Sequence, residues 1–242
     1  MSWLEIEQLG PGEPGGWTHS SKPKTYLPIY ERHLCHLRGQ EFAMLELGVA
    51  DGSSLSMWRN AFPEATVVGV DLDPPDLDLG ERVHLVRGDQ ADSDLLAEVG
   101  RRYAPKGFAV IIDDASHLGI PTAHSLESLF NEHLADGGLY IVEDWGTGYV
   151  GTFPDGSAET RRRPFAQRLS DNVRRQRRGV RFPSHDYGMV GMVKRLVDHA
   201  GGGFAAPGWS HLGTGTRLRI QRLCVEDGLV VLYKEDGGEV ES

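Results

Sequence analysis

Cysteine is almost missing from these 242 residues. Only Cys35 and Cys224 occur, far apart and in no metal-binding or redox spacing. That argues against a disulfide framework and a structural zinc site, and it fits a reducing compartment. A basic excess is missing too: the formal net charge is −10, so nucleic acid is not the default partner. No apolar run reaches the roughly 18–20 residues that span a bilayer. The opening MSWLEIEQLG lacks the basic and apolar parts of a signal peptide. No internal repeat is found. These absences leave a cytoplasmic protein that does not enter the membrane, and the length suits one domain over 1–242.

What is present is a regular alternation. FAMLELG (42–48), TVVGVDLD (66–73), VHLVRGD (83–89), FAVIIDD (108–114) and GLYIVED (138–144) read as strands, with helices at 53–62, near 92–103 and at 121–134. The strands are apolar runs without polar alternation, the pattern of parallel strands covered on both faces. Five such alternations with short turns predict an α/β, Rossmann-like doubly wound sheet. RLRIQRLCV (217–225), a turn at Asp227-Gly228 and LVVLYKE (229–235) read as an antiparallel hairpin finishing that sheet. Residues 1–40 form an arm and a helix, with Leu27, Tyr30, Leu34 and Leu37 on one helical face. Residues 146–215 read as an insert, a lid or substrate region, with helices at 164–178 and 187–200.

The turn after the first strand reads Glu46-Leu47-Gly48-Val49-Ala50-Asp51-Gly52-Ser53-Ser54. A glycine turn opening a helix at the end of a strand is where doubly wound folds bind nucleotides. Asp71, closing the next strand, suits ribose hydroxyls, and Asp89, closing the third, suits an adenine amino group. A dinucleotide site would show G-x-G-x-x-G. Here there are two glycines, with the Glu46 carboxylate just ahead of them. An anionic pyrophosphate is repelled by that carboxylate, whereas a sulfonium cofactor carrying an amino group is not. E-x-G-x-x-x-G with an acid ending the second strand resembles motif I of the class I S-adenosylmethionine-dependent methyltransferases. Glycines serving only the turn geometry are the plainer alternative.

IIDDASH (111–117) and LYIVEDW (139–145) each end a strand in two carboxylates. Neighbouring strands would bring Asp113, Asp114, Glu143 and Asp144 to one sheet edge, where like charges need a cation. Oxygen ligands with open positions suit Mg²⁺, Mn²⁺ or Ca²⁺. His117 is the candidate base, since a metal lowers the pKa of a bound hydroxyl and an imidazole can then take its proton. Capping of the following turns, or pairing with arginine, is the alternative for any single acid.

Taken together, ELGVADGSSLSMW, IIDDASH and SLESLFNEHLADGGLYIVEDW resemble the metal-dependent sugar O-methyltransferases of the macrocin and mycinamicin type. These are related to rhamnosyl O-methyltransferases and the cephalosporin hydroxylase-like family. HSSKPKTYLPIYERHL is similar to that family's lysine–tyrosine segment, which folds over cofactor and substrate; the family often has Asp-Lys where this chain has Ser21-Lys22. The resemblance implies S-adenosylmethionine held by Glu46, Gly48, Ser53, Asp71, Asp89 and Asp113, and a divalent metal on Asp114, Glu143 and Asp144. It also implies His117 as base, a glycosylated small-molecule substrate and a homo-oligomer. Trp145, Tyr26 and His185 are the candidate substrate contacts.

Other readings stay open at this point. The acceptor hydroxyl need not be on a sugar; a catechol is possible chemistry. The arginines between 161 and 181 suggest RNA phosphates, against an acidic chain with no interleaved aromatics. A protein that binds cofactor and metal without turnover is the third.

Overall fold

The computed structural model describes residues 22–162, 187–201 and 217–237. The helix expected at 164–178, most of the N-terminal arm and His185 lie outside the described residues.

Seven strands form one sheet: β1 (Ala43–Leu47), β2 (Thr66–Asp71), β3 (Val83–Arg87), β4 (Phe108–Asp113), β5 (Leu134–Glu143), β6 (Ile220–Val225) and β7 (Leu229–Lys234). Their order is β3-β2-β1-β4-β5-β7-β6. β1 to β5 run parallel, and β7 lies antiparallel between β5 and β6. The predicted mixed, doubly wound sheet is therefore what forms, and the hairpin inserts its second strand against the parallel set. Helices are α1 (Leu27–Leu34), α2 (Ser53–Ala61), α3 (Ser93–Tyr103), α4 (Gly119–Leu129), α5 (Pro154–Arg162) and α6 (Gly188–Gly201).

Strand alternation divides the core in two. Leu45, Leu47, Ile111, Tyr140 and Val142 face α3, α4 and α6. Met44, Val110, Ile112, Leu139 and Ile141 face α1 and α2, where Tyr30, Leu34 and Trp58 are buried. Both faces being covered explains why these strands show no polar alternation. α3 starts where Asp92 accepts the backbone N–H groups of Asp94 and Leu95, satisfying donors that a helix start leaves free. β5 begins earlier than the expected 138, because Leu134 already pairs with Phe108, and a register irregularity follows before Val110. The apolar spacing of Leu126, Phe130 and Leu134 had suggested a helix through that point. Among the described residues, no helix is long and apolar enough to cross a membrane.

Candidate active site

A cleft of about 430 Å³ opens at the C-terminal ends of β1, β2 and β4, lined by Gly48, Ala50, Ser54, Asp71, Asp89 and Gln90 among others. Gly48 has φ +85, and a Cβ there would run into the carbonyl of Asp114. The turn after β1 thus passes the end of β4 at contact distance, which only glycine allows. Asp71 Oδ2 accepts the N–H groups of Val49 at 2.8 Å and Ala50 at 3.2 Å. Burial opposes ionisation of Asp71, but N–H bonds from Asp73, Val49 and Ala50, with the Arg87 charge, hold its carboxyl below the usual range. The acid that faces the cleft also fixes the glycine turn.

Beside the cleft lies an acid centre, and α1 with the residues leading into it supplies its donors. Lys22, Tyr26 and Tyr30 follow each other at four-residue intervals. The Lys22 ammonium stands 2.9 Å from Glu46 Oε1, 2.8 Å from Asp114 Oδ2 and 2.5 Å from Glu143 Oε1. Tyr30 donates its hydroxyl to Glu143, and Tyr26 donates to Asp144. Glu46 accepts further bonds from Ser54 Oγ at 2.6 Å and Trp58 Nε1 at 3.2 Å. Glu143 titrates upward, at about 8, because of its burial and the neighbouring Asp114 charge, with Lys22 and Tyr30 opposing. Burial alone would lower Lys22, yet Glu46, Glu143 and Asp114 hold it well above the ordinary amine range. Three carboxylates share one ammonium here.

On the outer side, His117 Nε2 is 3.8 Å from both Asp114 Oδ1 and Asp144 Oδ2. Neither distance is a hydrogen bond. Oxygens of Asp114 and Asp144 and a ring nitrogen of His117 lie within 4.8 Å of one another, a donor set that fits a hard divalent ion with room for further ligands. Ala50, His117 and Asp144 have φ of 48, 52 and 55, and they are the only non-glycine residues with positive φ among those described. Each such backbone costs about 1–3 kcal/mol; His117 and Asp144 belong to this site, and Ala50 lines the cleft beside it.

No protein-family model matches the chain. The mycinamicin VI 2''-O-methyltransferase of Micromonospora griseorubida is 37% identical over 132 residues, 51% of this chain and 32% of that protein. The demethylmacrocin O-methyltransferase of Streptomyces fradiae is 30% identical over 207 residues, 76% of this chain and 51% of that one. In sequence the chain is similar to the macrocin and mycinamicin O-methyltransferases. It spans about a third to a half of the length of these curated relatives. In structure it is similar to MycE, a methyltransferase from the mycinamycin biosynthetic pathway solved with Mg and SAH. That match has a TM-score of 0.66 and 27% identity, covering 99% of this chain and 56% of MycE.

Measured against the expectations for this family, Gly48, Asp71 and Asp89 do line the cleft, and Asp114 lines it too, joining it to the acid centre. Three expected cofactor contacts do not line it. Glu46 is fully buried and turned to Lys22, Ser54 and Trp58. Asp113, the last residue of β4, points to the face that α4 covers, while Asp114 lies just past the strand and turns toward Lys22. Asp113 accepts from Ser125 Oγ at 2.5 Å, Tyr140 Oη at 3.0 Å and Gln90 Nε2 at 3.1 Å. Ser54, rather than Ser53, reaches the cleft from the start of α2. Asp113 reaches the cleft through Gln90, whose Oε1 accepts the Ser116 N–H at 2.9 Å, and through the backbone N–H of Ala115, which its carboxyl accepts. Glu143 is sealed behind Asp114 with its Oε1 on Lys22 and Tyr30, while His117, expected as a base, stands level with Asp114 and Asp144. Tyr26 meets Asp144 rather than open space, and Trp145 gives its indole N–H to the Glu226 carbonyl at 3.1 Å. Lys22 was expected only as part of a segment folding over the site, with no role of its own, and Gln90 was missed. The four-residue spacing from Lys22 to Tyr30 was the readable sign of the first; nothing in the sequence marked the second.

Proposed function

We propose that this chain is an S-adenosylmethionine- and divalent-metal-dependent O-methyltransferase acting on a deoxysugar hydroxyl of a glycosylated natural product. One observation carries it: Asp114 lines the cleft and also meets Asp144 and His117 in a donor set suited to a hard cation. Similarity to those methyltransferases supports the same chemistry.

In this reading the cofactor lies against Gly48, Ala50, Asp71 and Asp89, with Asp71 positioned for ribose hydroxyls. Asp114 and Asp144, backed by Glu143, hold the cation. When bound, the cation lowers the pKa of a hydroxyl beside it, and the cofactor offers a methyl group on a sulfonium. His117, on the same side as both acids, takes the hydroxyl proton at its imidazole, a side chain suited to proton transfer near neutral pH. Tyr26 holds Asp144 in place by its hydroxyl. Trp145, next to Asp144 and with its N–H already tied to Glu226, offers a ring to the sugar. A cytoplasmic setting agrees with two free thiols, and the homo-oligomer rests on the resemblance to the macrocin and mycinamicin enzymes.

The test is mass spectrometry of acceptors incubated with the full chain, S-adenosylmethionine and Mg²⁺. Macrolides bearing a free sugar hydroxyl should gain one methyl, aglycones should not, and His117→Ala should lose nearly all turnover while still binding the cofactor. Methylated aglycone, or unchanged turnover in the variant, removes the sugar or His117 from the reading.

A further inference from the structure

The acid centre contains two overlapping sets of carboxylates. Asp114 and Asp144 with His117 form the outer set, and Glu46, Asp114 and Glu143 form the inner one, each set with its donor atoms within 4.8 Å of one another. Asp114 belongs to both. It turns Oδ1 toward His117 and Oδ2 toward Lys22. That is the geometry of a bridging carboxylate, which in two-metal sites lies between ions about 3.5–4 Å apart.

The inner set is already filled by a cation. Lys22 Nζ lies within 2.9 Å of all three acids, and its side chain is 1% exposed. Glu46 and Glu143 come from the face of the sheet that α1 covers, so the ammonium enters directly from the segment that precedes α1. Buried carboxylates this close repel unless a positive charge lies between them. An ammonium differs from a metal ion in two ways that matter here. It carries one charge instead of two, and it has only donors, so it offers no place for a substrate oxygen to bind as a ligand while being deprotonated.

Resting on the metal reading above, we propose that Lys22 is the built-in second cation of this centre. It takes the position that a second divalent ion would fill, so the chain binds one metal instead of a pair bridged by Asp114. The acceptor hydroxyl is thereby offered a single electrophilic position, the outer one beside His117. Lys22 is a positioning residue, acting through Asp114 and Glu143.

Metal stoichiometry tests this without using turnover. Mn²⁺ is titrated calorimetrically into chelator-treated wild type and Lys22→Met, with bound metal counted independently by elemental analysis after desalting. Wild type should take one Mn²⁺ per chain and Lys22→Met two. Thermal unfolding supplies a second measure: Lys22→Met should melt below wild type in chelator and gain more than wild type on adding Mn²⁺. One Mn²⁺ per chain in a folded Lys22→Met, with an Mn²⁺-induced shift no larger than that of wild type, overturns the proposal and leaves the single-metal reading standing. Failure of Lys22→Met to fold even when refolded in Mn²⁺ also overturns it, because a metal then cannot replace the ammonium. No Mn²⁺ on wild type defeats the metal reading itself.

Discussion

Replacing Asp113 by asparagine isolates the energetic effect of a buried carboxylate that the proposed chemistry does not use. Asp113 is 2% exposed and bonded to Ser125, Tyr140 and Gln90. Burial drives its carboxyl from an ordinary value of 3.8 to about 6, against the pull of those hydrogen bonds. The folded chain therefore keeps this proton at pH values where the unfolded chain has released it. Stability from this group is full below the unfolded value, falls as pH rises through the window between the two, and is flat above it. The gap corresponds to about 3 kcal/mol at 1.36 kcal/mol per pKa unit, of which about 2 kcal/mol falls between about pH 4.5 and 7.5. Asparagine has no such window. Its poorer hydrogen bonding shifts stability by the same amount at every pH and cancels when the two profiles are subtracted. Urea denaturation of both proteins in chelator, so that metal binding adds no pH dependence, should show the variant gaining about 2 kcal/mol on wild type from the acid to the neutral end. Parallel profiles would refute the claim that burial of Asp113 outweighs its hydrogen bonds.

Two further outcomes follow from the same geometry. Gly48→Ala must place a Cβ at a left-handed backbone and against Asp114, at a cost of about 2–5 kcal/mol in denaturation, and it should weaken cofactor binding in calorimetry; a loss below about 1 kcal/mol would mean the turn moves freely away from β4. Tyr26→Phe removes the hydroxyl that holds Asp144 and should weaken Mn²⁺ binding by about 10–100-fold with the fold intact, so unchanged affinity would separate Tyr26 from the metal centre.

Much of this architecture was legible because it rests on periodicity. Apolar runs bounded by glycine turns announced five parallel strands, and Asp227-Gly228 announced the hairpin. The site was legible only to the level of which strand ends carry acids. Asp113 and Asp114 look equivalent in sequence, yet Asp113 still belongs to β4 and lies under α4, while Asp114 lies past the strand end and enters the site. Glu143 and Asp144 part similarly, because Glu143 still belongs to β5 while Asp144 turns into the left-handed region. Choosing the exposed member of each pair needs the register of β4 against β1 and β5, which is a long-range property. The role of Lys22 escaped for a different reason. Lys22 lies before the helix it serves, and its partners come from β1, β4 and β5. A four-residue ladder of Lys22, Tyr26 and Tyr30 is also what an ordinary core-facing stripe looks like.

The β6–β7 turn has a bearing on how the protein comes into being. Gly228, at φ +78, lies so close to Tyr26 that a Cβ would strike its ring, and His33 bonds to Tyr233 across 200 residues. Val230, Val231 and Leu232 of β7 are fully buried between β5 and β6. On the ribosome, then, the strands bearing all four acids emerge long before the hairpin that clamps α1 over them. Until β7 is made and inserted, Tyr26 lacks the turn it packs against and His33 lacks its partner Tyr233, so α1 is held over the acids only from β1, β4, β5 and α2. Final closure of α1 over the centre is thus a late event of high contact order, governed by a strand synthesised well after the acids. A nascent chain arrested before Leu229 should carry a formed parallel sheet but a loosely held α1.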